Sequence, residues 1–217
     1  AKDIDGVKVS SGYGSFDTYD ENIVFGKTYG NVKVSGMVHY RQSGGFDGIV
    51  ESDNQTRIDN SISSFGFSQV SQAPGRVDDG RQEYDLNLKA VYKDVYFEGW
   101  YSNRNRGPFI GPQYALNDES DVESNYVFGE VGYKKTFEER LTFKPRVYYD
   151  QFDHNTYIES FSEGVTLPLD TDGDGNYDKL NTYPDGFIGN GKVIQKIVGT
   201  EIPFDYELFD GNVITLG

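Results

Sequence analysis

The stretch "EYDLNLKAVYKDVYFEGWYS", residues 83–102, decides the fold class, because apolar and polar side chains alternate on both sides of a two-residue turn. Before the turn, one face carries Tyr84, Leu86, Leu88, Ala90 and Tyr92, and the other carries Glu83, Asp85, Asn87 and Lys89. Successive side chains leave opposite faces of a strand, so a period of two predicts β-structure with one apolar face. That apolar face must meet either a protein core or lipid.

The same alternation recurs along the chain and predicts about eight strands of roughly nine to eleven residues, a length that crosses a bilayer when tilted. The predicted strands are 6–13, 19–28, 32–42, 83–92, 95–104, 125–136, 141–151 and 195–208, and another starts at 213–217. Short turns alternate with long polar loops at 43–82, 105–124 and 152–192. Transmembrane barrels have this pattern, whereas ordinary β-domains rarely contain structureless loops of about forty residues. We therefore predict an all-β fold, an antiparallel up-and-down meander from the N-terminal part of a transmembrane β-barrel with long extracellular loops.

Composition narrows the possible partners and chemistries. The 217 residues include 35 acidic and 20 basic ones, a net charge of -15, which repels nucleic-acid phosphate and predicts no nucleic-acid partner. A cation or a cationic ligand suits this sign better. The absence of Cys removes disulfides, thiolate metal sites and cysteine nucleophiles.

Aromatic residues lie near the ends of the predicted strands, as the two interfacial girdles of a membrane barrel do. Those near short turns are Tyr29, Tyr92, Phe137, Phe143 and Phe209. Those near long loops are Tyr40, Tyr84, Tyr101, Tyr126 and Tyr149. Tyr and Phe also simply favour strands, so this pattern gains weight only beside the alternation of loop lengths.

Residues 9–36, "VSSGYGSFDTYDENIVFGKTYGNVKVSG", resemble the first barrel strands of TonB-dependent outer-membrane receptors. Residues 106–123, "RGPFIGPQYALNDESDVE", and the "APG…DD…R…YDLNLKA" pattern of residues 73–90 resemble a loop and a strand of one receptor subgroup. The likeness covers most of residues 5–151 and continues from about residue 195. None of these segments is a catalytic signature.

The resemblance implies a bacterial outer-membrane transporter, not an enzyme, with a plug domain inside a barrel of about 22 strands. Such a receptor takes up a ferric siderophore, cobalamin, haem or a glycan, driven by an inner-membrane energy-coupling protein. Its other partners are outer-membrane lipid and its own plug domain. The sequence shows neither the plug nor an energy-coupling box, so we expect a barrel fragment that is not transport-competent and that self-associates through its strand edges.

The loop sequence "DTDGDGNYD", residues 170–178, has the spacing of a calcium loop. Oxygen ligands occupy alternate positions, and Gly175 stands where a sharp turn is needed. The predicted Ca²⁺ ligands are Asp170, Asp172, Asp174, Asn176 and Asp178. Asn181 replaces the usual final Glu, and an acidic, solvated turn is the alternative.

Aromatic and arginine side chains are common ligand anchors, and four of them surround the rim of the predicted barrel. They are Trp100, Arg104, Arg106 and Tyr114. By parity, Trp100 and Arg104 share the inward face of their strand. These residues are candidate ligand contacts, and filling of the barrel mouth is the alternative role.

Two rival functions remain open on the sequence alone. A soluble, calcium-supported β-sandwich or barrel that binds carbohydrate would turn its apolar strand faces inward. An acidic β-rich hydrolase would need two carboxylates converging in unlike environments. Which strand face is wet distinguishes the membrane barrel from the soluble module.

Overall fold

Alternating side chains do form strands throughout the chain, in a computed structural model that describes residues 4–111 and 113–217. The strands and the α-helix of these described residues follow in chain order. They are β1 Gly6–Gly14, β2 Thr18–Tyr29, β3 Val32–Ser43, β4 Ile49–Val50, α1 Asn54–Ile62, β5 Gly75–Arg76, β6 Arg81–Tyr92, β7 Val95–Arg106, β8 Asp121–Tyr133, β9 Lys135–Phe137, β10 Leu141–Phe143, β11 Arg146–Phe161, β12 Val165–Leu169, β13 Lys179–Tyr183, β14 Phe187–Glu201, β15 Phe204–Phe209 and β16 Asn212–Leu216. Within the described residues, no helix has the length and apolarity needed to cross a bilayer.

Eight strands form one antiparallel sheet in the order β1-β2-β3-β6-β7-β8-β11-β14, which confirms the predicted all-β meander. Strands β9, β10, β15 and β16 form a second, four-stranded sheet at the short-turn end. Pro145 separates β10 from β11, and Pro203 separates β14 from β15. Because proline lacks the N–H that a ladder needs, the long strands change sheet at these two points.

Register places the apolar and polar side chains on opposite faces of the eight-stranded sheet. One row of paired residues crosses six strands through Val9, Ile23, Val38, Leu86, Tyr101 and Val127. The next row, on the other face, runs through Ser10, Asn22, His39, Asp85, Ser102 and Tyr126. We call the first the outer face and the second the inner face. Tyr126 therefore points inward and does not belong to an outer aromatic girdle.

The hydrophobic core does not lie beneath the sheet. Outer-face side chains are exposed, with 42 % of Val38 and 43 % of Leu86 accessible to solvent. Among the described residues, the buried hydrophobic side chains are Ile62, Val77, Ala115, Leu116 and Val165. All five belong to the long loops 44–80, 107–120 and 162–186, which we call the loop cap. The cap is therefore packed like a small protein interior, whereas the sheet is not.

Two predicted loops contain more regular structure than the sequence suggested. The loop predicted at 43–82 contains helix α1, which begins at Asn54 because the carboxylate of Asp53 caps its first turn. The loop predicted at 152–192 contains the upper part of β11, the hairpin β12–β13 and the start of β14.

The predicted strands 141–151 and 195–208 also left out the loop-side ends of β11 and β14. Strand β11 continues to Phe161, and β14 already begins at Phe187. In its upper part, the outer-face positions of β11 are polar, namely Gln151, Asp153 and Asn155. A strand that rises into solvent has no apolar face, so the alternation of hydropathy ends before the strand does.

Candidate functional site

Four arginines converge on the inner face where β3, β6 and β7 meet the loop cap. In one paired row Arg41, Glu83 and Arg104 lie side by side. In the next row Arg81 lies beside Arg106. These four side chains, which we call the rim arginines, comprise half of the chain's eight arginines, although the net charge is -15. The inner rim thus concentrates half of the chain's arginines, interleaved with the carboxylates of Glu83, Asp85 and Asp79.

Acidic neighbours pair with some of the rim arginines but not with all of them. Arg104 contacts both carboxylate oxygens of Asp85 at 2.9 Å, and Arg81 contacts Asp79 at 3.2 Å. Arg106 makes no ion pair with a described residue, and the buried Nε of Arg41 has no hydrogen-bond partner there. Two guanidinium groups therefore keep donor capacity for another group.

A cavity of about 360 Å³ opens beside these arginines on the inner face. It is lined by Asp79, Arg81, Glu83, Arg104, Asn105, Arg106, Val122, Ser124 and His154. Ser124 Oγ and His154 Nδ1 share a hydrogen bond of 2.8 Å. The cavity offers both charge and neutral polar groups to a small molecule.

Aromatic rings continue the inner face below this cavity. The rings of Trp100 and Tyr126 meet edge to face with centroids 5.3 Å apart, and Tyr126 donates a hydrogen bond to Asp150 at 2.8 Å. The rings of Phe152 and His154 are stacked at 6.0 Å. Trp100 remains 46 % exposed, so its ring is available to a ligand. Arginine donors above aromatic faces can hold a planar or anionic group.

Of the four predicted ligand contacts, three lie on or beside this surface. Trp100 and Arg104 share the inner face, and Arg106 lines the cavity with Arg104. Tyr114 does not join them: it lies in the loop cap, is 76 % exposed, and accepts the Asn54 N–H through its carbonyl oxygen.

Sequence reasoning did not single out Arg41, Arg81 or His154 as site residues. Parity within the predicted strand 32–42 places Arg41 on the inner face, whereas Arg81 and His154 lie beyond the predicted strands 83–92 and 141–151 and had no predicted parity. What the sequence does not contain is the register across β3, β6, β7 and β11, which sets these side chains beside one another.

The predicted calcium loop is the nine-residue connection of the hairpin β12–β13. One carboxylate oxygen from each of Asp170, Asp172 and Asp174 can be chosen so that all three lie within 4.8 Å of one another. Gly173 and Gly175 adopt positive φ values of 79° and 90°, which lets the chain bend around these carboxylates. The arrangement presents oxygen ligands of the kind that Ca²⁺ prefers.

The two other predicted ligands, Asn176 and Asp178, are engaged in hydrogen bonds within the loop. Asn181, which replaces the usual final Glu, lies in β13 opposite Leu167. Asp178 accepts hydrogen bonds from the hydroxyl and the backbone N–H of Thr171. Asn176 donates both its backbone and side-chain N–H groups to Asp174. A cation would therefore find three converging carboxylates, with further ligands requiring local adjustment.

Hydrogen bonding lowers the pKa of two of these carboxylates, Asp170 and Asp174. The backbone N–H of Gly175, and then that of Gly173, hold the pKa of Asp170 below its usual range. The side-chain and backbone N–H groups of Asn176 lower the pKa of Asp174. The charged forms that a metal ion needs are thus present at neutral pH.

Asp53 ties two long loops together within the cap. Its Oδ1 accepts from Thr56 N at 2.7 Å and from Ser71 Oγ at 2.9 Å, and its Oδ2 accepts from Leu116 N at 2.8 Å. Burial alone would raise the pKa of Asp53, but these N–H and O–H donors hold it below its usual range. Ser120 Oγ accepts the Glu159 N–H at 2.8 Å and links the second long loop to β11.

No protein-family model matches this chain, and no curated protein sequence matches it.

Proposed function

We propose that this chain is part of the wall of an outer-membrane β-barrel from a TonB-dependent receptor, which takes up a scarce nutrient across the bacterial outer membrane. The transported molecule would be a ferric siderophore, cobalamin, haem or a glycan. The chain's own role is to span lipid with its outer face and to contact the ligand with its inner face. No catalytic step is part of this proposal.

The observation that carries the proposal is the inverted distribution of hydrophobic side chains. On the outer face, apolar residues are exposed in a continuous row, whereas the inner face is polar and rich in ion pairs. In water, a sheet with that much exposed apolar surface would aggregate, but in a bilayer the same surface is favourable. The long loops bury their own core, so they need no help from the sheet.

The soluble carbohydrate-binding alternative requires a second layer that covers the apolar strand faces. The four-stranded sheet of β9, β10, β15 and β16 continues the long strands at the short-turn end, and Val38 and Leu86 stay exposed. This distribution favours the membrane barrel over the soluble module.

The inner rim supports a ligand-binding role at the same end as the loop cap. The guanidinium group of Arg106, which lines the cavity, and the exposed ring of Trp100 would contact the incoming molecule. Calcium bound by residues 170–178 would order the outermost hairpin beside that entrance.

The decisive experiment compares Leu88→Cys with Asn87→Cys, neighbours that point to opposite faces of β6. Each variant is reconstituted into lipid vesicles and exposed to a water-soluble thiol reagent. We expect Asn87→Cys to react and Leu88→Cys to be protected, because lipid covers only the outer face. The native chain has no cysteine, so it gives no background.

Unfolding both variants in denaturant should make the two cysteines react equally, which controls for intrinsic reactivity. If Leu88→Cys in vesicles reacts as fast as Asn87→Cys, the outer face is not in lipid and the proposal is wrong.

A further inference from the structure

The two ends of the eight-stranded sheet carry opposite charge. The long loops 44–80, 107–120 and 162–186 contain fourteen acidic and three basic residues. The segments 27–33, 92–95 and 134–145 at the opposite, short-turn end, which we call the basic turns, contain seven basic and three acidic residues. Residues 202–217 of β15 and β16, beside them, contain three acidic residues and no basic ones. A net charge of -15 therefore conceals a set of locally positive turns.

Two lysines of the basic turns lie over exposed aromatic rings. Lys93 Nζ is 5.3 Å from the ring centroid of Tyr92, and Lys135 Nζ is 5.8 Å from that of Phe137. Half of Tyr92 is accessible to solvent, and Phe137 is 44 % exposed. An aromatic ring at the edge of an apolar band, with an ammonium group above it, suits the boundary between acyl chains and headgroups.

These ammonium groups keep capacity for an external anion. Lys93 makes no ion pair with a described residue, and Lys135 reaches only Asp94, at 3.5 Å, with both side chains 44 % exposed. A surface pair of that kind is weak and is readily exchanged for a phosphate. Arg140 adds a third exposed cation in the turn between β9 and β10.

We propose that the basic turns bind the phosphate groups of anionic phospholipids in the leaflet at the short-turn end. The inference rests on the proposed membrane function and extends it by naming the lipid chemistry and the end that contacts it. Phosphate oxygens match the ammonium and guanidinium donors in charge, while the rings of Tyr92 and Phe137 pack against the glycerol region. The acidic loop cap would face away from this leaflet.

The negative net charge allows binding to anionic vesicles to distinguish a local basic surface from overall charge. A chain with a net charge of -15 should be repelled by anionic vesicles unless a local basic surface faces them. We would measure partition of the full chain into vesicles of phosphatidylcholine alone and of phosphatidylcholine mixed with phosphatidylglycerol. We expect stronger partition into the mixed vesicles, and we expect added salt to remove the difference.

The matched variants each remove three cations. The triple variant Lys93→Gln, Lys135→Gln and Arg140→Gln should lose about fivefold in binding to mixed vesicles per cation removed. The control triple variant, Arg57→Gln, Arg76→Gln and Lys179→Gln, alters the loop cap and should not change it. Lys93→Arg with Lys135→Arg should retain the wild-type preference.

Three outcomes would count against us. Equal partition of the native chain into both vesicles would overturn the lipid inference and leave the proposed membrane function standing. An equal loss in the control variant would show that overall charge, rather than the basic turns, drives binding. Failure to enter either vesicle would overturn the proposed function itself, and the lipid inference with it.

Discussion

The sheet exposes its apolar side chains to solvent, whereas the loop cap buries them. Leu88 on the sheet is 36 % exposed, whereas Leu116 in the cap is 3 % exposed. Charged groups of the sheet pair on its inner face, while the cap buries the carboxylates of Asp53 and Asp59 among backbone N–H donors. The cap thus buries its apolar side chains, whereas the sheet exposes them, which is the distribution that we propose for a surface in contact with lipid. Fold class alone does not predict this difference.

The largest expected effect comes from making one substitution in both regions. Leu116→Ala should destabilise the cap by about 2–5 kcal/mol, because it leaves a cavity in a packed core. Leu88→Ala in detergent should leave the cap unchanged, since its side chain contributes nothing to that core. Hydrogen exchange of the Glu159 and Val70 amides, which donate to Ser120 Oγ and to Asp59, reports opening of the cap. Equal loss of protection in both variants would mean that sheet and cap form one core.

The buried carboxylate of Glu159 makes the stability of the loop cap, but not that of the sheet's outer face, depend on pH. Glu159 is 3 % exposed, and its Oε2 has no hydrogen-bond partner among the described residues. Burial first, and then the charges of Glu119 and Asp118, raise the pKa of Glu159 above its usual range. Because the folded form holds its proton longer than the unfolded chain does, cap stability falls as pH rises from the ordinary carboxyl pKa through the raised one.

Glu159→Gln should therefore stabilise the cap at neutral pH, by on the order of 1 kcal/mol, and remove this loss on raising the pH. Hydrogen exchange at several pH values, corrected for intrinsic exchange rates, measures cap opening and tests this prediction. Glu51→Gln, an exposed change in the first long loop, is the control. Asp53 acts in the opposite sense, because its lowered pKa makes stability fall only as the pH drops. A pH profile unaltered by Glu159→Gln would refute the assignment.

Strand positions were predictable wherever one face stays apolar along the whole strand. Strands β2, β3, β6 and β7 begin and end within about two residues of the predicted bounds, because their outer faces alternate cleanly. The loop-side ends of β11 and β14 were missed, since polar outer-face residues such as Asp153 and Lys192 interrupt the apolar alternation there. Helix α1 was missed because its sequence, "NQTRIDNSI", has little apolar periodicity and depends on Asp53 and on contacts with the second loop.

The candidate site was predictable residue by residue but not as a surface. Trp100 and Arg104 follow from parity within one strand, as the inner-face register bears out. Their neighbours Arg41 and His154 come from strands far apart in sequence, so only the pairing of strands brings them together. Tyr114 does not line the rim cavity, and a loop residue has no parity from which its direction could be predicted.

The smallest expected effect concerns the calcium loop, which lies at the far end of the cap and buries almost nothing. Calorimetric titration with CaCl₂ should show saturable binding that Asp172→Asn combined with Asp174→Asn abolishes, because these remove two of the three converging carboxylates. Asp185→Asn, an acid of the same loop outside the cluster, should leave binding intact. The lowered pKa values of Asp170 and Asp174 keep both charged, so binding should persist below neutral pH and weaken only on strong acidification. If the native chain shows no saturable heat, or if Asp185→Asn weakens binding as much, residues 170–178 are an acidic turn that attracts cations without holding one.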